Sequence, residues 1–137
     1  MQPVTHYLDA ELVVINYLRA AFATRPEGYA ANVVFGNQVP EIRPDKFVKV
    51  KRNGGVSDET PTLDAPRIDI EAWAQDDADA HDIAALCHAL IYTMPNRTPV
   101  RKIEPFLGLT RIDDPLSHVS RVLFTLTLRM RGTPFTL

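Results

Sequence analysis

Phe47-Val-Lys-Val-Lys51, then Arg67-Ile-Asp-Ile-Glu-Ala-Trp-Ala74, then the helix-like run from Asp76 to Met94 decide the fold of this chain. The first two alternate apolar and charged residues, the pattern of half-buried strands with one wet face. Val48 and Val50 are expected to face a core together with Ile68, Ile70 and Ala72. The opposite face then carries Lys49 and Lys51 against Asp69 and Glu71, a charge match that favours antiparallel pairing by about 0.2–1 kcal/mol per opposed pair. The polar connection at about 53–65 is too long for a tight turn, so it is read as a projecting loop.

The run that follows is a helix. Asp76-Asp-Ala-Asp-Ala-His-Asp82 places carboxylates where unpaired N–H groups and the helix dipole favour negative charge. Ile83, Leu86, Cys87, Leu90, Ile91 and Met94 then form a stripe about two residues wide that is expected to lie on the sheet. Pro95-Asn-Arg-Thr-Pro99 ends it.

Outward from this unit, Leu8, Leu12, Ile15, Leu18 and Phe22 predict a first helix from about Asp9 to Thr24, capped by Thr5 or Asp9. Ala31 to Phe35 predicts a short strand, and Val39 to Pro44, with two prolines, an extended edge or connector. Val100 to Leu109 reads as a strand interrupted by Pro105. Between Val119 and Met130 the even positions from Val122 are all apolar and the odd ones polar, Leu123 excepted, which predicts a long strand. The order is α-β-β-β-α-β-β. It fits an α+β fold, a mixed or antiparallel sheet of four to five strands with two helices on one face.

The chain has 137 residues, with fifteen basic against seventeen acidic and a net charge of −2. Residues 1–137 are therefore read as one domain, and bulk phosphate neutralisation as a route to nucleic-acid binding is disfavoured. The single cysteine, the lack of a signal-like N-terminus and the lack of a long apolar run lead to the expectation of a soluble protein made in a reducing cytoplasm.

The chemistry-bearing motifs are absent. No phosphate loop, dinucleotide fingerprint, H-E-x-x-H or G-x-S-x-G occurs. Cys87 and His88 are adjacent on a helix and point about 100° apart, so Cys87 is read as a buried structural residue. His81 and His88 are two turns apart, about 11 Å, too far to share one ion even with Asp77 nearby. Asp76, Asp77, Asp79 and Asp82 lack the glycine and terminal glutamate of a calcium loop. No catalytic, metal or cofactor residue is assigned, and no enzyme activity is expected. Trp73 has two readings, packed under a loop or anchoring an interface. The 53–65 loop is read as an arm that orders against a neighbouring chain.

Four segments together carry a resemblance. Phe47-Val-Lys-Val-Lys-Arg-Asn-Gly-Gly55, Asp64-Ala-Pro-Arg-Ile-Asp-Ile-Glu-Ala-Trp-Ala74, the Ala- and Leu-rich Ala78 to Leu90, and the strand Arg121 to Gly132 resemble the tail terminator (tail completion) proteins of long-tailed bacteriophages. The resemblance implies a structural virion protein, assembled in the host cytoplasm, that forms a ring, usually hexameric, on the tail tube. It would stop tube polymerisation and join the head–neck connector, with DNA only passing through the lumen and no membrane involved. Its partners would be itself, the major tail tube protein and a connector or stopper protein. Lys49, Lys51, Asn53, Gly54, Gly55, Asp58, Glu59, Asp69, Glu71, Trp73, Arg129 and Arg131 are the candidate interface residues. A stopper or adaptor of the neck, or a small ferredoxin-like enzyme or ligand-binding domain, are the alternatives.

Overall fold

The computed structural model describes residues 5–6, 9–57, 63–112 and 119–134. Their order is β1 (Thr5–His6), α1 (Ala10–Ala23), a short 3-10 turn (Gly28–Ala30), β2 (Val34–Gly36), β3 (Lys46–Ser57), β4 (Leu63–Ala74), α2 (Asp77–Ile91), β5 (Val100–Ile112), β6 (Ser120–Arg131) and β7 (Thr133–Pro134). The main sheet runs β2-β3-β4-β6-β5, with β2 parallel to β3 and every other neighbour antiparallel. It is the expected mixed five-stranded α+β sheet with both helices on one face. The chain ends meet in a separate antiparallel pair, Thr5 opposite Pro134 and His6 opposite Thr133.

The core lies between the helices and the sheet. Val48 and Val50 of β3, Ile68, Ile70 and Ala72 of β4, and Val122, Phe124, Leu126, Leu128 and Met130 of β6 are all buried, as their alternation predicts. Ile83, Cys87, Ile91 and Met94 of the α2 segment are fully buried over them, with Leu86 and Leu90 half-buried alongside. Full burial of side chains this size contributes about 1.5–3 kcal/mol each.

The helix starts follow capping chemistry. Asp9 Oδ1 accepts from the Glu11 and Leu12 N–H groups at 3.0 and 3.3 Å, and Asp76 Oδ1 from Ala78 N–H at 2.8 Å. The α1 face is corrected in one respect, for Leu12 is 51% exposed while Ala10, Val14, Ile15, Leu18 and Phe22 are buried. At 100° per residue Leu12 sits about 125° from the centre of that face. Leu8 lies outside the described side chains.

Three boundaries also differ. The strand read at Ala31–Phe35 begins only at Val34, because Asn32 has φ 60 and leaves extended geometry just before it. The loop read at 53–65 is mostly strand: β3 runs on to Ser57 and β4 starts at Leu63, leaving 58–62 outside the described residues. The polarity of Asn53 and Gly54 that reads as loop is instead a bulge, with pairing skipping from Arg52–Ile68 to Gly55–Pro66. Finally β5 continues to Ile112 as an edge strand with three breaks in register, and Pro105, which has no N–H to donate, is placed within it.

Candidate functional site

The sheet face turned away from the helices gathers most of the candidate residues. Lys49 opposes Glu71 and Lys51 opposes Asp69 in the β3–β4 register, as charge matching predicts. The carboxylates nevertheless take other partners. Asp69 accepts from Thr125 Oγ1 at 2.7 Å and from Asn53 Nδ2 at 3.1 Å. Glu71 accepts from Trp73 Nε1 at 3.2 Å and lies 3.9 Å from Arg121. Lys51 lies 3.9 Å from Glu11, whose carboxylate also holds the Arg52 N–H at 2.7 Å and Asn37 at 3.1 Å. The donors that engage Asp69 and Glu71 thus come from β3, β4 and β6, namely Asn53, Trp73, Thr125 and Arg121, rather than from the facing lysines.

Trp73 sits within this face at 9% exposure. Arg121 covers its ring at 4.8 Å and Arg43, from the connector after β2, at 5.1 Å. Phe47, fully buried, is its direct neighbour on β3. The ring therefore has two guanidinium groups within 5.1 Å of its centre, and the contact with exposed Arg43 is worth about 0.5–1 kcal/mol. In this chain alone Trp73 is packed beneath a connector rather than presented to solvent.

Further along, Arg52 and Asp64 close the hairpin arm with two parallel bonds of 2.9 and 3.1 Å. Asp64 is 2% exposed and also accepts from the Ala65 N–H at 3.0 Å. Beside this clamp Gly55 has φ +97, and a Cβ there would lie 2.3 Å from the Ala65 carbonyl oxygen. Gly54 has φ +71 with open space around it. Asp58 and Glu59 lie outside the described residues. Arg129 bonds Glu104 of β5 at 3.3 Å, and Arg131, two residues on at the C-terminal end of β6, lies in an open depression with Asn96, Thr98, Pro99 and Arg101. The candidates are thus not one cluster but a sheet face, a bulge and the β6 end.

Several features escaped the sequence reading. Arg52 and Asp64 fall at the two ends of the assumed loop, and their opposite charges were the available signal for a closed arm. Phe106 was not singled out, yet it is 60% exposed with the Arg67 guanidinium 3.9 Å from its ring centre. Leu107 and Leu109 beside it are 41% and 38% exposed. Among the described residues no group of three or more His, Cys, Asp or Glu side chains is placed to hold a metal. Among the same residues no helix is long and apolar enough to cross a membrane.

A family model described as "Phage tail termination protein" matches residues 6–114. The chain belongs to that family. It is a family of structural tail proteins, and its match spans α1 through β5 and so includes the hairpin arm, the Trp73 face and the exposed β5 edge. The terminator-family fold also recurs in a solved structure, a chain of the "Virion of native gene transfer agent (GTA) particle", at 16% identity and TM-score 0.64 over 90% of this chain and 95% of that one. At that identity the likeness is one of fold. No curated protein matches.

Proposed function

We propose that this tail structural protein is the terminator itself. Copies of residues 1–137, acting as a single domain, assemble into a ring of six on the end of the tail tube. The ring stops further addition of the tube protein and presents its other side to the head–neck connector, while DNA passes through the centre. It works by binding alone, without a catalytic step, cofactor or membrane, and belongs to the finished virion after assembly in the host cytoplasm. Family membership over residues 6–114 is the observation that supports this. The β3–β4 arm is the element we assign to the tube, because it is braced at its base by the Arg52–Asp64 clamp.

Light scattering over a range of concentrations, with negative-stain imaging, tests the reading. The expected result is a ring of about six copies, either free or formed on added tail tubes. Tubes that keep growing in the presence of the protein would contradict termination, and binding only to the portal side of tailless heads would point to a stopper or adaptor instead.

A further inference from the structure

We infer that the subunit-to-subunit contact is head-to-tail, with the β5 edge of one copy seated on the connector that follows β2 of the next. This rests on the ring reading above and names the surface that builds it. β2 and β5 are the two outer strands of the five-stranded sheet, so each offers an unpaired edge. The β5 edge and the connector that follows β2 each carry exposed apolar side chains. On β5 these are Phe106, Leu107 and Leu109, at 60%, 41% and 38% exposure. On the connector after β2 they are Val39 and Ile42, at 37% and 88%.

The flanking charges are of opposite sense. Ile42 lies between exposed Glu41 and Asp45, while the only cation of that stretch, Arg43, is turned onto Trp73. β5 carries exposed Arg101, Lys102 and Arg111 against one carboxylate, Glu104. Lys102 lies 3.8 Å from Glu104, which it shares with Arg129, and Arg111 lies 3.3 Å from Asp77 of α2, so Arg101 is the cation of this edge that faces the acidic connector most directly. An apolar centre with a rim of complementary charge is the usual build of a specific protein contact. A second copy of this chain is the one occupant that covers both patches with a single type of contact. Because the two patches differ, that contact is heterologous, and repeating it gives a closed ring or an open fibre, never a two-fold dimer.

Introduced thiols read this directly, since the native Cys87 is buried. I42C, L107C and the double variant I42C/L107C are treated with a short bis-maleimide, free in solution and in the presence of purified tail tubes. The double variant is expected to give a ladder of covalent species beyond the dimer, and a mixture of the two single variants to give dimers only. Dimers from L107C alone would overturn the contact in favour of a symmetric β5–β5 pairing. A double variant that yields no ladder, while wild-type protein self-associates by sedimentation, overturns the contact and leaves the ring. Wild-type protein that stays monomeric both alone and on tubes overturns the ring and the contact with it.

Discussion

Replacing Gly55 by alanine tests whether the hairpin arm depends on a backbone shape that only glycine allows. The cost has two parts. A side chain at φ +97 costs about 1–2 kcal/mol on backbone grounds alone. The added Cβ would also lie 2.3 Å from Ala65 O, 2.7 Å from Arg67 N and 2.9 Å from Pro66 Cα. All three are backbone atoms of the paired strand, where comfortable contact is about 3.5 Å, so the bulge must open by roughly an ångström. Opening it misaligns the Arg52–Asp64 clamp, and overpacking of this kind adds about 1–3 kcal/mol. We expect Gly55→Ala to lower stability by about 3 kcal/mol, a fall in Tm of about 10 °C for a chain of this length. Gly54→Ala is the internal control, since at φ +71 with nothing within 4 Å it carries only the backbone part, about 1 kcal/mol. Urea unfolding followed by tryptophan fluorescence, with calorimetry for Tm, measures both. Equal losses for the two variants would refute the close-approach argument and leave only the backbone term.

Asp64→Ala removes a carboxylate that is 2% exposed and bonded to a guanidinium about one-third exposed; we expect a loss of about 2 kcal/mol in urea unfolding, and no loss would show that the clamp is ornamental. Trp73 is the single tryptophan, so its fluorescence should resist acrylamide quenching in the folded chain, and Arg43→Ala should raise the quenching constant by uncovering one side of the ring. Burial pushes the Cys87 thiol up from its ordinary value of 9.0. Because the folded thiol holds its proton to higher pH than the unfolded one, its contribution to stability is complete below about pH 9 and declines as pH rises past that value. Iodoacetamide at pH 8 should therefore leave Cys87 unmodified until denaturant is added, and rapid labelling of the native protein would place it at the surface.

The parts of the fold legible in the sequence are those where one physical pattern dominates. Alternation in β4 and β6 and the stripe on α2 identify their buried faces because each element buries one side only. The arm was misread because Asn53, Gly54 and Gly55 are turn formers locally, whereas here they make a bulge whose geometry is set by Ala65 and Pro66 on the facing strand. Leu12 was misplaced because a stripe chosen at spacings of three and four admits a neighbouring face when alanine, at Ala10, supplies the true contact. For the candidate site, the register of Lys49 and Lys51 against Glu71 and Asp69 was readable from charge. The actual partners were not, since Thr125 and Arg121 lie on a strand some fifty residues away in sequence. The exposed Phe106 and Ile42 carry no periodic signal at all, because an edge residue is defined by what fails to pair with it.

The placement of β6 between β4 and β5 has a consequence for how the chain reaches this state. β3–β4 and β5–β6 are each joined by short connections and can pair locally, whereas β4–β6 pairing sets Asp69 beside Thr125 across α2 and all of β5. Two hairpins must therefore form and then zip along their inner strands, with α2 laid over the seam, where it touches β4, β6 and β5. We expect that zippering to be the slow step in refolding, with pulse-labelled amide exchange finding the bonds within each hairpin protected before those joining β4 to β6. Until it happens, the inner edges of both hairpins are open, and a chain surrounded by many copies of itself is most vulnerable to pairing with the wrong neighbour during that interval.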